Sequence, residues 1–446
     1  MRHLKSTLKW LYPGLKIKRW MALSIIGALL FLLGLGIRTQ AMKDLNPITL
    51  RAADWVMRHV HLGLKPLVLA TILTVGGGLL FLGSFSKFLT ALVRAVDPTA
   101  SPLHLGEILY ERRKLQKGRK IVVIGGGTGL STMLRGLKQY SDNITAIVTV
   151  ADDGGSSGKL MKQLGILPPG DIRNCLVALA DAETEMTELF QYRFRNSVNP
   201  AELNKPEPGA GFGEGLRDHS FGNLLIAAMC AIKGGDFEAA VRETSRVLNI
   251  RGRVLPSTVT HVRLRGEMED GSMVEGESAI ASSPLKIKRI HLVPNTACPA
   301  DEVIEAIEQA DVIVLGPGSV FTSIVPNVLI REIPEAIRRS RAKKVYVCNV
   351  MTQPGETDQF TAYDHVKAIE AHAGRRFFDY VLVNQEMPAQ ELVEKYKKTG
   401  AVPVMADTDR LKAEGYRPIG GNFINQSDFV RHDAGTLAKA IVALLR

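Results

Sequence analysis

Residues 120–138 read KIVVIGGGTGLSTMLRGLK, and this stretch decides the fold class. Ile121–Ile124 is a short run of β-branched residues, Gly125-Gly126-Gly127-Thr128-Gly129 follows at once, and Leu130, Met133, Leu134 and Leu137 then fall at helical spacing. A buried strand, a glycine turn and an amphipathic helix in that order open a βαβ unit. Glycines carry no Cβ to keep backbone N–H groups from an anion, and the helix that follows points its positive end at the loop. A phosphate site is the functional reading, and a tight turn without ligand is the structural one. The loop has no Lys-Ser/Thr at the spacing of a P-loop, and Leu130 stands where a dinucleotide fingerprint places Gly or Ala. P-loop NTPases and standard NAD sites are therefore disfavoured.

The pattern recurs downstream. Ile144–Val150 runs into Ala151-Asp152-Asp153-Gly154-Gly155-Ser156-Ser157-Gly158, and Val312–Leu315 into Gly316-Pro317-Gly318-Ser319. Val345–Val350 leads to Met351-Thr352-Gln353-Pro354-Gly355-Glu356-Thr357, and Tyr380–Val383 to Asn384-Gln385. Several strands thus deliver small polar loops at their carboxyl ends, the ligand-binding edge of an open parallel sheet. Residues 258–277 alternate apolar and polar side chains around Asp270-Gly271 and read as an antiparallel hairpin insertion. Asn199–Gly215 is rich in Pro and Gly and reads as a mobile surface loop.

Side chains with chemistry sit in these loops. Asp152 and Asp153 alternate faces on a strand, but the glycines after them allow a bend that turns both carboxylates toward one ligand. They would then hold Mg²⁺ beside a phosphate or accept hydrogen bonds from a ribose; the alternative is a loop capped by its own Asp side chains. In Leu167–Asn174 (LPPGDIRN) two prolines stiffen a turn, and Asp171 is placed as N-cap of a helix running to Ala180. Arg173 in its first turn, beside Asn174, could clamp a phosphate. His219-Ser220-Phe221-Gly222-Asn223 enters the apolar run Leu224–Ile232, so His219 is either a ligand contact or a satisfied structural histidine. No Ser-His-Asp, Cys-His or H-E-x-x-H arrangement can be assembled, which leaves hydrolytic nucleophilic chemistry unsupported. Cys175, Cys230, Cys298 and Cys348 form no C-x-x-C pair and read as buried packing residues in a reduced compartment.

The first 120 residues differ from the rest. The formal charge of +11 arises from 56 Lys+Arg against 45 Asp+Glu, but residues 1–120 hold 19 basic and 5 acidic side chains, and residues 121–446 hold 37 and 40. The main body therefore lacks the basic surface of a nucleic-acid-binding protein. Trp20–Ile37 is 18 residues without a charge, and Leu67–Phe85 is a second run of that class, each close to the ~20 residues that cross a hydrocarbon core as a helix. Arg2, Lys5, Lys9, Lys16, Lys18 and Arg19 precede the first run, and Arg112, Arg113, Lys114, Lys117, Arg119 and Lys120 follow the second. The positive-inside rule then puts both ends in the cytoplasm, although the connecting loop carries Arg38, Lys43, Arg51, Arg58 and Lys65 of its own. A pair of buried core helices is the alternative. The expected domains are residues 1–117, a two-helix transmembrane hairpin with spans about 20–37 and 67–85, and residues 118–446, an α/β domain.

Seven blocks in order, IVVIGGGTGLSTMLRGLK, ITAIVTVADDGGSSGKL, LPPGDIRNCLVALA, HSFGNLLIAA, VLPSTV, VIVLGPGSVFTSIVPN and VYVCNVMTQPGETD, resemble the bacterial gluconeogenesis-factor proteins. These are the YvcK-like branch of the CofD-like (2-phospho-L-lactate transferase-like) superfamily. The resemblance runs from about Lys120 to the C-terminus. It implies an α/β fold with a Rossmann-like, mainly parallel sheet, here joined by the antiparallel hairpin insertion and preceded by the all-α transmembrane hairpin. It also implies binding of a nucleotide sugar, UDP-N-acetylglucosamine first, in support of cell shape, peptidoglycan and envelope synthesis during gluconeogenic growth. The ligand-binding residues so marked are Gly125, Gly126, Gly127, Thr128, Gly129, Asp152, Asp153, Gly154, Ser156, Arg173, Asn174, His219, Asn223, Gly316, Gly318, Ser319, Asn349, Thr352 and Gln353. The transferase branch uses Mg²⁺, for which Asp152 and Asp153 would be the ligands. Val150-Ala151-Asp152-Asp153 lacks the Asn-Thr-Gly lead-in of that branch, which speaks against deazaflavin chemistry. A binder acting as regulator is favoured over an enzyme because no general base is recognisable near these loops and the closer branch is the regulatory one. Phe321 stands where many members have Tyr, and the soluble members lack the hairpin. The expected setting is the bacterial inner membrane with the main domain cytoplasmic, cell-envelope proteins and a second copy as candidate partners, and no nucleic acid. A Mg²⁺-dependent transferase acting on a nucleotide diphosphate and a membrane-tethered scaffold without ligand are the competing readings.

Overall fold

The computed structural model describes residues 17–38, 66–96, 105–194, 216, 218–426 and 429–445. The chain divides into two compact units, Met1–Arg113 and Lys114–Arg446. The loop expected at Asn199–Gly215 and the basic residues Arg2, Lys5, Lys9 and Lys16 before the first apolar run lie outside the described residues.

In the first unit, helices Ile17–Arg38 and Pro66–Val96 pack against each other. Lys18–Ile37 and Val68–Ala91 are long and apolar enough to cross a membrane. Close approach comes from glycine: a Cβ on Gly27 would fall 2.5 Å from the backbone nitrogen of Phe81. The seam is also where polarity lies, with the hydroxyls of buried Ser24 and Ser84 meeting at 3.1 Å. Leu29, Leu32, Leu79 and Leu82 face outward, each more than half exposed. Small and polar residues inside with leucine outside invert the pattern of a water-soluble helix pair and match helices packed in lipid. Only 17% of each apolar window is buried, which argues against the core-helix alternative.

The second unit is built on strands β1 (Ile121–Gly125), β2 (Ile144–Val148), β3 (Arg253–Pro256), β4 (Arg263–Met268), β5 (Met273–Glu275), β6 (Ile287–Val293), β7 (Val312–Leu315), β8 (Lys343–Val347), β9 (Tyr380–Asn384), β10 (Arg417–Gly421), β11 (Ile424–Gln426) and β12 (Val430–His432). Seven of them form one sheet in the order β10-β9-β8-β7-β1-β2-β3, every pair parallel. β1, β2 and β7 are buried along their whole length, which is why they read as continuous apolar runs rather than alternating ones. The insertion is larger than a hairpin: β4 pairs antiparallel with both β5 and β6. Helix Gly127–Leu137 leaves β1 with Leu130, Met133, Leu134 and Leu137 fully buried, each such side chain contributing roughly 1.5–3 kcal/mol. The chain winds from β1 outward to β3 on one side and from β7 outward to β10 on the other. The order therefore reverses between β1 and β7, where both glycine loops emerge.

Two sequence expectations are corrected. Helix Gly170–Leu179 has Pro169, not Asp171, at its N-cap, because the paired prolines start the helix a turn-position early and aim the Asp171 carboxylate at the first glycine loop. Cys298 is exposed, in the loop after β6, whereas Cys175, Cys230 and Cys348 are buried as expected.

Candidate functional site

The crevice at the reversal between β1 and β7 is a cavity of about 370 Å³. Thr128, Gly129, Gly318, Ser319, Asn349 and Gln353, all marked from sequence, line it together with Thr132, Met351, Tyr396, Phe429, Arg431 and His432, which were not. The two glycine loops touch: a Cβ on Gly129 would stand 2.5 Å from the Pro317 carbonyl oxygen. Gly127 has φ +69°, a left-handed conformation that suits glycine. Gly125 ends β1 and accepts the Thr149 N–H at 2.9 Å, while Gly316, at φ +79°, turns the chain out of β7.

The loop after β8 shapes the cavity from the other side. Asn349 clamps Gly318, accepting its N–H at 3.1 Å and donating to its carbonyl at 2.8 Å. Ser319 donates to the Glu356 carboxylate, which also receives Gln353 Nε2 at 3.2 Å. Burial pushes the Glu356 carboxyl above its usual range, and the Ser319 and Phe321 bonds oppose that shift. Thr352 is buried and bonds Val402 through backbone and side chain, holding the loop without lining the cavity. Phe321 is buried edge-on against Phe360 and His372, so it is a packing residue rather than a cavity wall. The remaining wall is aromatic and cationic. Tyr396 Oη accepts the Val430 N–H at 3.2 Å. Phe429 is an exposed ring with Lys395 Nζ 4.6 Å and Arg431 Cζ 5.4 Å from its centroid. His432 bonds the Cys348 carbonyl at 3.1 Å, and burial lowers its pKa to about 4, so the ring is neutral at pH 7.

The other residues marked from sequence lie at the carboxyl end of β2 and largely satisfy one another. Asp152 accepts the Gly154 N–H at 2.9 Å, and Gly154 is the N-cap of helix Gly155–Leu164. Asp153 accepts the N–H groups of Glu277 at 3.0 Å and Ser278 at 2.9 Å, capping helix Glu277–Ala281 of the insertion. Ser156 meets His219 Nδ1 at 3.0 Å and accepts from Asn223 Nδ2 at 3.0 Å. Arg173 donates to Asn223 Oδ1 at 3.0 Å, to the Ser220 hydroxyl, and to Asn174 Oδ1 at 2.9 Å. His219 is thus a buried, bonded histidine whose pKa is lowered by burial.

Asp171 is the residue that sequence reasoning misplaced. Its carboxylate lies against Gly126, accepts the Gly127 N–H and has its pKa raised to about 6 by burial and by Asp152. Glu277, brought in by the insertion, is raised to about 7 by burial and by Asp152, Asp153 and Asp171. Asp152 thus acts electrostatically on two carboxylates from other elements, Asp171 and Glu277. Both Asp153 oxygens accept backbone amides, so in this structure Asp153 serves the insertion, whereas Asp152 holds only the Gly154 N–H. Among the described residues no group of three or more His, Cys, Asp or Glu side chains is arranged to hold a metal ion.

Seven parallel strands, two touching glycine loops and a crevice at the strand-order reversal define a Rossmann-like α/β protein of the CofD type. Residues 121–424 match the family model described as 2-phospho-L-lactate transferase CofD. The chain is 50% identical to the gluconeogenesis factor of Bacillus subtilis over 328 residues, covering 73% of this chain and 98% of that protein. A relative of that name from Nostoc sp. is 45% identical over 444 residues, covering 97% of this chain and 91% of its own length. A crystal structure of a upf0052 family member from Bacillus halodurans superposes with a TM-score of 0.67 at 49% identity, covering 73% of this chain and 99% of that one. The chain belongs to the gluconeogenesis-factor family, within the CofD group. The Nostoc match reaches into the first unit, whereas the Bacillus subtilis match leaves no room for it.

Proposed function

We propose that this protein binds a nucleotide sugar, UDP-N-acetylglucosamine before others, in the cavity between the two glycine loops. The observation that carries the reading is the wall of that cavity. Arg431 has no carboxylate partner among the described residues and stands beside the exposed Phe429 ring, while glycine-loop groups line the opposite side. An aromatic face suits a base, a guanidinium suits a diphosphate, and hydroxyl and amide groups suit a sugar. The apolar helix pair anchors this activity in the bacterial inner membrane with the larger unit cytoplasmic. There the protein supports cell shape and envelope synthesis during gluconeogenic growth as a binder that acts through envelope proteins.

Calorimetric titration of the full chain in detergent with UDP-N-acetylglucosamine, UDP, GDP and free N-acetylglucosamine tests the ligand. Saturable binding of the UDP sugar, independent of Mg²⁺, is the expected result; no binding of any nucleotide would leave the scaffold reading. A Mg²⁺-dependent transferase is the second reading, favoured by the buried Asp171 carboxyl, raised to about 6 by burial and by Asp152, and by the matched family model. Turnover of a nucleotide diphosphate that requires Mg²⁺ and disappears in Asp171→Asn would establish it. Reporter fusions after Lys120 and near Arg51 should report opposite sides of the membrane, and the same side for both would overturn the anchor.

A further inference from the structure

Beside the large cavity, and separated from it by Thr128 and Arg431, which line both, lies a smaller pocket of about 120 Å³. Three arginines line it: Arg135 from the helix after β1, Arg173 from helix Gly170–Leu179, and Arg431 from β12. Among the described residues no carboxylate does. Asn174 and Gln191 add amide groups.

The state of each cation matters. Arg135 gives its Nε to Glu183, but Lys138 Nζ shares that carboxylate at 2.6 Å, so Glu183 does not neutralise both. Arg173 is only 8% exposed, and its two terminal nitrogens are held by Ser220, Asn223 and Asn174. Its Nε is buried without a hydrogen-bond partner. A buried N–H of a cation left unbonded costs on the order of 1–3 kcal/mol or more, so such a group marks a place where an acceptor belongs. Asn174 Oδ1 is taken by Arg173, which turns the amide so that its NH₂ is the end left to donate. The pocket offers donors and positive charge from three separate elements in a space the size of one small oxyanion.

We propose that this pocket is a phosphate-type oxyanion subsite formed by Arg135, Arg173 and Arg431, distinct from the glycine-loop cavity. Its occupant is either the phosphate end of the ligand in the neighbouring cavity or a free phosphate bound beside that ligand. The planar guanidinium fork matches both, and converging forks on one oxyanion give the charge-assisted bonds that a single rim arginine cannot. The subsite does not depend on the nucleotide-sugar reading.

Titration of the full chain in detergent with inorganic phosphate, against chloride at equal ionic strength, tests it. One phosphate should bind per chain. Arg135→Gln should weaken that binding at least tenfold with the melting temperature nearly unchanged, and Arg135→Lys should recover only part of the loss. If Arg135→Gln does not fold, Gln191→Ala, which lines this pocket and not the large cavity, should weaken phosphate binding and reads the same site. Absence of saturable phosphate binding, or an affinity that neither variant alters, overturns the proposal. Repeating the titration with saturating UDP-N-acetylglucosamine separates the sources. Exclusion of phosphate assigns the subsite to that ligand's own phosphates, and retention assigns it to a free anion. If the UDP sugar does not bind but phosphate binding still requires Arg135, the subsite stands and the nucleotide reading falls.

Discussion

The carboxyl ends of β1 and β2 lie side by side and both run into glycine-rich loops with hydroxyl side chains, yet the structure uses them differently. At β1 and β7 the polar groups open onto a cavity with Thr128, Phe429 and Arg431 on its wall. At β2, Ser156, His219, Asn223, Arg173 and Asn174 bond one another, and Asp153 caps a helix of the insertion. A polar loop at a sheet edge marks a place where hydrogen bonds must be satisfied; whether a ligand or the protein satisfies them depends on what the distant chain brings.

Four experiments press on that contrast. The largest effect belongs to the β2 side. Arg173→Ala leaves Ser220, Asn223 and Asn174 without their shared donor and should cost about 3 kcal/mol of stability, read as a lower denaturation midpoint at unchanged slope. An unaltered midpoint would mean the network is not structural. Next, Arg431→Ala on the exposed cavity wall should weaken UDP-sugar affinity by about 2 kcal/mol, the scale of a hydrogen bond to a charged group, with no change in melting temperature. A loss of stability instead would erase the distinction between the two edges.

Asp153→Asn should cost about 1 kcal/mol of stability, the usual worth of a helix cap, and leave ligand affinity within twofold whether or not Mg²⁺ is present. A Mg²⁺-dependent loss of affinity would move Asp153 from the structural group to the ligand group. The smallest effect is a pH slope. Asp171, raised to about 6, and Glu277, raised to about 7, bind protons in the folded state at pH values where the unfolded chain has released them. Their contribution is therefore full below about pH 4 and is lost as pH rises toward 7. Glu277→Gln should stabilise the protein by about 1 kcal/mol more at pH 8 than at pH 4, after allowance for its partial exposure. Equal effects at the two pH values would show that neither burial nor the neighbouring carboxylates raise the Glu277 carboxyl.

The sheet was readable because β1, β2 and β7 are buried on both faces and their sequences are continuous apolar runs ending in glycine. Part of the cavity was readable for the same reason, since Gly129, Gly318 and Asn349 fall within four residues of the ends of β1, β7 and β8. Tyr396, Phe429 and Arg431 carried no signal. They come from the last fifth of the chain, in stretches without a motif, and only the fold brings them to Thr128. Asp171 was misread because a residue after Pro-Pro-Gly looks like a helix cap, and the contact with Gly127 is tertiary. The sequence shows two strands of the three-stranded insertion because β6 alternates imperfectly: Ile287, Ile290 and Leu292 are buried, but Lys288 and Arg289 are exposed in succession.

The cap that Asp153 provides has a kinetic side. Its partners, Glu277 and Ser278, lie 124 and 125 residues further along the chain, and the contact requires both the β2 edge and the antiparallel insertion to be in place. Contacts between segments so far apart are entropically expensive to close early. This one belongs on the native side of the folding barrier. Removing it should speed unfolding while leaving the folding rate nearly unchanged, so the Asp153 carboxylate acts as a latch on the finished structure.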